Sequence, residues 1–454
     1  MDAKQLAING GPRTIGRDLP FRPYRVRNDF PLLRSRLRRG LARSYDLLKM
    51  LPLTLRGVTS IPDASGIVGR FEAAFCELTG ARFAMAMNSG TATLHSAYFA
   101  VGVGPGTEVI VPSYTWHATA TPVLLCGAVP VFCEIDPQTL TLDPDDIERR
   151  ITERTRAICV LHAWGNPAPM DRIVEIAERH GISVIEDASH AHGAVYKDRA
   201  VGTWGHVGCF SLQGSKPVDG GEAGVAITND PVLYDHMALL GQNVLVKRGQ
   251  KARTFDYGDI SLGAKYRPHP AAMFLAYAAL RRLPERNRRA ARAWEWLCEE
   301  LADVPCIRPI PTTPDGVRGG FYAFALEYTG AARGGPGTQA FVDAVRAEGA
   351  PLDVDQFRDS LLHTLPLFNE LDRTKLGGGC YDPTRPWHEN LSKVSLPVTE
   401  AVTEQLVKFP PILYALPESY VRRCARAVKK VAAALVPATS PSAQGERPRR
   451  EAAR

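Results

Sequence analysis

Asp187 and Lys216 are the residues of this chain whose surroundings most clearly suggest chemistry. Both lie within residues 184–224, which begin V-I-E-D-A-S-H-A-H-G-A and end C-F-S-L-Q-G-S-K-P-V-D-G-G-E-A-G. Asp187 closes the apolar run Ser183-Val184-Ile185-Glu186, which places it at the carboxyl end of a predicted buried strand. Ser211 and Lys216 lie five residues apart near the end of a second strand-like run, Lys216 in a loop bounded by Gly214 and Pro217. An ordinary lysine has a pKa near ~10.4, and it serves as a nucleophile or base near neutral pH only when its surroundings lower that value. An amine, a buried carboxylate, an anion site and a flat group are what pyridoxal 5'-phosphate (PLP) needs from a protein. PLP is therefore the cofactor these residues predict, with Lys216 bonded to its aldehyde and acting afterwards as general base.

Each remaining requirement has a candidate. Asp187 would face the pyridine nitrogen and favour its protonated form; the plainer reading is a turn or helix-capping aspartate. His190, three residues on, would stack on the ring or contact its phenolic oxygen, against the alternative of a supporting histidine. His192 is a weaker candidate, and Glu186, on the opposite face of the strand, is given a supporting role. Ser89, Gly90 and Thr91, in N-S-G-T-A-T-L-H, precede a predicted helix whose free N–H groups would bind the phosphate together with Ser211. Alone, that motif is also an ordinary capped turn. Trp116, in V-P-S-Y-T-W-H-A-T-A-T, is placed for ring stacking; the alternative is a core tryptophan.

These residues need a scaffold that brings strand ends together. Apolar runs at 109–111, 129–135, 157–162, 183–186, 209–212 and 225–228 alternate with segments such as 170–180, where Met170, Ile173, Val174 and Ala177 have helical spacing. The pattern predicts an α/β fold with a mostly parallel sheet covered by helices on both faces, and ligands at the strands' carboxyl ends. A second region from about residue 270 is expected to be a smaller α/β domain. It has a long helical stretch over 271–296 interrupted near Pro284, a strand over 320–328, a helix over 338–348 and a last helix over 418–435. The expected division is an N-terminal arm (1–60), a large cofactor-binding domain (61–270), a smaller domain (271–436) and a disordered tail (437–454).

Composition sets the outer bounds. The chain has 454 residues, 45% hydrophobic and 23% charged, with a net charge of +7. Its apolar runs fall short of the ~18 residues of a spanning helix, and its start lacks a secretory apolar core, so a cytoplasmic location is expected. The basic excess is local: residues 22–56 carry ten Lys or Arg against Asp29 and Asp46. That distribution argues against a nucleic-acid protein with a broad basic face. Leu33, Leu37, Leu41, Tyr45 and Leu48 make this segment a basic amphipathic helix, read first as docked on the protein or a dimer partner. The alternatives are a surface for an acidic partner or phosphorylated substrate, and attachment to an anionic membrane. The nine cysteines are scattered with no C-x-x-C pair and are read as reduced thiols.

Taken together, these segments resemble the DegT/DnrJ/StrS family, the sugar and cyclitol aminotransferases of PLP fold type I. The resemblance runs from S-G-I-V-G-R-F-E at Ser65 to the final helix and includes E-I-D-P-Q-T-L-T-L-D-P and M-D-R-I besides the motifs above. It implies Lys216 as the cofactor-bonding lysine, Asp187 at the pyridine nitrogen, and His190 and Trp116 about the ring. It also implies Ser89, Gly90, Thr91 and Ser211 at the phosphate, and a homodimer with active sites shared between subunits. The family commonly has G-x-N-x-R where this chain has Gly263-Ala264-Lys265-Tyr266-Arg267, and its Asn reaches the neighbouring subunit's cofactor phosphate; Lys265 would stand there as a cationic contact. The activity implied is transfer of an amino group from glutamine or glutamate, through the pyridoxamine form, to a keto-sugar, nucleotide-linked keto-sugar or keto-cyclitol. A pyridoxamine-dependent sugar dehydratase is one rival, but that branch carries histidine at the lysine position. A cofactor-binding regulatory protein is the other.

Overall fold

The fold comes from a computed structural model that describes residues 5–9, 11–15, 66–242, 245–246, 249–257, 260–369 and 394–437. The basic segment and residues 438–454 of the expected tail lie outside the described residues.

Seven strands form the main sheet: Phe83–Met87 (β1), Glu108–Pro112 (β2), Val129–Cys133 (β3), Thr155–Leu161 (β4), Ser183–Asp187 (β5), Val207–Ser211 (β8) and Gly224–Thr228 (β9). Their order is β1-β9-β8-β5-β4-β2-β3. The run from β3 to β8 is parallel, and β9 is antiparallel to both β8 and β1. Two short strands, Val195–Tyr196 (β6) and Arg199–Ala200 (β7), form a ribbon beside it. All the strands anticipated from apolar runs are present. The sequence reading missed β1, because Phe-Ala-Met-Ala-Met has no β-branched residue. Pairing with β9 defines it, with Met87 opposite Gly224.

Helices Gly66–Thr79 (α1), Gly90–Ala100 (α2), Thr121–Leu125 (α3), Pro144–Arg150 (α4), Met170–His180 (α5) and Pro231–Gly241 (α6) cover this sheet. Side chains alternate along each strand, so neighbours enter different cores. Val109, Val111, Cys159 and Ile185 pack with Leu94, Ala97 and Met237, whereas Ile110, Ile158, Val160 and Val184 pack with Met170, Ile173 and Ile176. Burial on both faces explains why these strands read as continuous apolar runs.

The second region contains Pro270–Leu301 (α7), Ile307–Pro309 (β10), Gly316–Val317 (β11), Phe324–Tyr328 (β12), Thr338–Ala347 (α8), Asp353–Val354 (β13), Pro366–Asn369 (α9), Pro397–Thr403 (α10), Leu406–Phe409 (β14) and Glu418–Leu435 (α11). Its sheet is antiparallel in the order β10-β12-β14-β13, while β11 joins β6. Two expectations are corrected here. Helix α7 continues through Pro284 rather than breaking. A proline forfeits its own N–H bond and crowds the turn before it, and packing on both sides outweighs that cost. Leu280 and Leu283 join Phe71, Phe75 and Phe210 in one core, and Ala290, Ala293 and Leu297 join Phe324 and Val428 in another. Strand β12 starts at Phe324, not near residue 320, because Gly320 and Phe321 adopt φ of 70° and 43°. The N-terminal arm is fastened by the buried Glu348 carboxylate, which accepts hydrogen bonds from Ala7 N, Thr14 N, Thr14 Oγ1 and Lys430 Nζ at 2.7–2.9 Å.

Candidate active site

The strand order sets the site. β5 and β8 are parallel neighbours, so Asp187 at the end of one pairs with Cys209 on the other, and the Ser211 and Lys216 loop follows from the same edge. The Asp187 carboxylate is buried and its Oδ2 accepts from Thr119 Oγ1 at 2.8 Å, while Oδ1 accepts from Ser189 N at 3.2 Å. A carboxylate held by two donors keeps a fixed direction. Glu186, on the opposite face, accepts from Gly202 N at 2.6 Å and Gly205 N at 2.7 Å, in keeping with its supporting role.

The Lys216 backbone N–H donates to Gln213 O at 2.8 Å, which closes the loop into a turn. Its ammonium lies 3.8 Å from the centroid of the Tyr322 ring. Burial pushes this lysine down to about 8, against the opposing pull of the Asp187 charge. At pH 7 roughly a tenth of molecules then carry a free amine there, far more than for an ordinary lysine. Ser215 Oγ donates to Gln213 Oε1 at 2.6 Å and stands 2.9 Å from Tyr322 Oη, which fastens that ring to the loop.

His190 is buried between aromatic side chains. Its ring centroid is 4.4 Å from Tyr322 and 5.2 Å from Trp164, with interplanar angles of 21° and 15°. Burial and the positive charges of Lys216 and Lys408 hold its pKa well below 6.5, so it is neutral at pH 7. Trp164 N donates to its Nδ1 at 3.4 Å, which leaves Nε2 to carry the hydrogen. His192 is buried and makes no side-chain hydrogen bond among the described residues, and burial lowers it to about 3.

The residues expected at the phosphate meet where α2 abuts β8. Ser89 caps the helix by accepting from Ala92 N at 3.0 Å, and the Gly90 and Thr91 N–H groups belong to the first turn, where no intrahelical acceptor is available. Gly90 is required there, since a Cβ would lie 2.7 Å from Ser211 Cβ; a Cβ on Gly224 would lie 2.3 Å from Ser89 O. Gly90→Ala is expected to destabilise the fold by about 1–3 kcal/mol and to weaken phosphate retention. Denaturant unfolding and dialysis of the bound cofactor measure the two effects, and wild-type values for both would remove the steric argument.

Trp116 lies beyond the end of β2, before the 3₁₀ turn His117–Thr119, and is 58% exposed rather than a core residue. Lys265 is exposed with φ of 57°. Its segment is tied to the cradle by Asn88 N donating to Tyr266 O at 2.8 Å and by Tyr266 Oη, 2.6 Å from His95 Nδ1. Among the described residues, the Lys265 ammonium has no partner. Sequence reasoning missed Thr119, Trp164, Tyr322, Tyr114, Asp355 and Lys408. Tyr114 and Thr119 lie in a quoted motif but lacked any distinguishing signal. Trp164, Tyr322, Asp355 and Lys408 reach the site through loops and through the second sheet, far away in sequence.

A lysine with a lowered pKa, a fixed carboxylate and a glycine-lined helix terminus at one sheet edge have the donor set that PLP requires. The class that fold and site define is the PLP-dependent aminotransferases with a mostly parallel central sheet. The profile of the DegT/DnrJ/EryC1/StrS aminotransferase family matches residues 65–410, and the chain belongs to that family. It is 34% identical over 442 residues to an L-glutamine:2-deoxy-scyllo-inosose aminotransferase of Streptomyces kanamyceticus, covering 95% of this chain and 97% of that protein. It is 39% identical over 245 residues to a GDP-perosamine synthase of Caulobacter vibrioides, covering 54% of this chain and 64% of that protein. Among solved structures it is similar to DesV of S. venezuelae, with a TM-score of 0.71 and 26% identity, over 88% of this chain and 97% of that one. An aminotransferase from Psychrobacter cryohalolentis shares the fold, with a TM-score of 0.73 at 24% identity, over 91% of this chain and 99% of that one. The enzyme is thus a PLP-dependent aminotransferase. No helix among the described residues is long and apolar enough to cross a membrane.

Proposed function

We propose that the enzyme takes the amino group of glutamine or glutamate and delivers it to the ketone of a cyclitol or sugar, in amino-sugar or antibiotic-type biosynthesis. The observation that carries the chemistry is Lys216, lowered to about 8 in the same strand-end cluster as the buried Asp187 carboxylate. The substrate pair is supported by the near full-length similarity to glutamine-dependent keto-cyclitol aminotransferases. Bound here, PLP supplies an electron sink for the charge left when a proton departs beside the transferred nitrogen.

The chain's own residues do the rest. Lys216 would hold the cofactor and would take and return that proton at Nζ. Asp187 holds the ring nitrogen in its charged form, with Thr119 fixing the carboxylate. Ser89, Gly90, Thr91 and Ser211 bind the phosphate. Trp116 would pack on the cofactor ring, and His190, whose Nε2 carries the hydrogen, would donate to it. We further propose a homodimer in which Lys265 reaches the partner subunit's cofactor phosphate. In support, Tyr257, Ile260 and Leu262, on the chain segment that leads to Lys265, are exposed large apolar side chains, as is Trp116 beyond β2. The proposed division is a large cofactor-binding unit up to about residue 270 and a smaller one after it.

Spectra of the purified holoenzyme test the reading. Its visible absorption should bleach on addition of glutamine or glutamate and return on addition of a keto-cyclitol or keto-sugar. Absence of donor-dependent bleaching would overturn the aminotransferase assignment, and recovery with none of a panel of such acceptors would overturn the acceptor class.

A further inference from the structure

Lys408 on β14 is a second lysine turned towards the site. Its ammonium lies 4.6 Å from the centroid of the Trp164 ring, and Trp164 stacks on His190. The positive charges of Lys408 and Lys216 act on the same His190 imidazole, so the two ammonium groups share one neighbourhood. Burial lowers the Lys408 pKa, while Asp355 and Asp353 hold it up.

An ammonium has three donors and no acceptor, and withdrawing it from water is costly unless those donors are used. Among the described residues, Lys408 makes no hydrogen bond and has no carboxylate oxygen within ion-pairing distance; its near neighbour is an indole face. Asp355, the stronger of the two carboxylate influences on Lys408, is already engaged. Its Oδ2 accepts from Tyr114 Oη at 2.8 Å and its Oδ1 from Phe357 N at 2.7 Å. Tyr114 Oη in turn accepts from Trp164 Nε1 at 2.6 Å, which fixes the indole beneath the lysine. The surroundings hold Lys408 in place without using its donors, an arrangement suited to an arriving anion.

We propose that Lys408 binds the α-carboxylate of the amino donor. This rests on the reading of the enzyme as an amino-acid-dependent aminotransferase. The donor carries its carboxylate on the very carbon that loses nitrogen, so a cation must lie in the neighbourhood of Lys216. The ring hydroxyls of a cyclitol acceptor are neutral and do not demand one. Placing the anchor on β14 has a further consequence. Donor binding then links the second sheet, through Trp164 and His190, to the strand ends that carry Asp187 and Lys216.

The test uses the holoenzyme and compares wild type with Lys408→Met and Lys408→Arg. Bleaching of the visible absorption is followed against glutamine and against L-glutaminamide, which lacks the carboxylate charge. Wild type should favour glutamine over its amide by about 10- to 100-fold in concentration dependence, the value of a charge-assisted hydrogen bond. Lys408→Met should lose that preference and need about 10- to 100-fold more glutamine. Its absorption before donor is added, and its KM for the acceptor, should match wild type. Lys408→Arg should recover part of the preference. If Lys408→Met keeps the wild-type preference, or if only its acceptor KM rises, the proposal is overturned. Failure of wild type to bleach with any amino acid would instead overturn the function on which the proposal rests.

Discussion

Lys216→Ala is expected to lower turnover by roughly 10³-fold or more, since a positioned general base alone contributes ~10²- to 10⁴-fold. The visible absorption that depends on the covalent bond should disappear, although cofactor held through the phosphate cradle should remain after gel filtration. Steady-state kinetics and the spectrum of the same preparation measure both. Turnover within tenfold of wild type would transfer the role to another amine. The lowered pKa adds a pH test with a defined sign. A lysine depressed to about 8 gains its free amine as pH rises through that value rather than through ~10.4. Recombination of apoenzyme with PLP should therefore be half-maximal near pH 8 and level off about one unit above it. Continued acceleration towards pH 10 would mean that the site does not lower this pKa.

Asp187→Asn should reduce kcat by roughly 10²- to 10³-fold, the range for losing one directed electrostatic contact in a buried site. The substitution keeps the shape, and Thr119 can still donate to the remaining oxygen, so folding and cofactor retention should change little. Loss confined to KM, with kcat unchanged, would place Asp187 in substrate binding instead. Unchanged kinetics would make it the turn residue that the sequence also allowed. The chain's two strongest local signals thus have distinct signatures: Lys216→Ala alters the spectrum and the rate, Asp187→Asn chiefly the rate.

Much of the large sheet was legible in the sequence. Strands buried on both faces have to be apolar throughout, so β2, β3, β4, β5, β8 and β9 stand out as short runs of Val, Ile, Cys and Phe. The edge strand β1 lacked that signal, since its Ala and Met residues have little strand preference. Pro284 misled in the opposite direction. A local rule predicted an interruption, and burial of α7 against two cores outweighed it. The basic segment before residue 66 was also plain in the sequence, and its role lies outside the described residues.

The sequence by itself determined the cofactor, the kind of reaction and the residues at the strand ends. Lys216, Asp187 and the Ser89 to Thr91 turn each carry a local mark: a lysine in a tight loop, an acid ending an apolar run, a small-residue start to a helix. Only the tertiary structure decided what surrounds them. Thr119 on Asp187, the stack of His190 with Trp164 and Tyr322, and Lys408 above that indole bring together residues from separate strands and loops of two sheets. No periodicity records such meetings. They depend on strand order and on the packing of the second sheet against the first, which a one-dimensional pattern does not specify. The burial that lowers Lys216 to about 8 and partly withdraws Lys408 from water arises at the same step. Chemistry that depends on desolvation belongs to the folded chain rather than to its motifs.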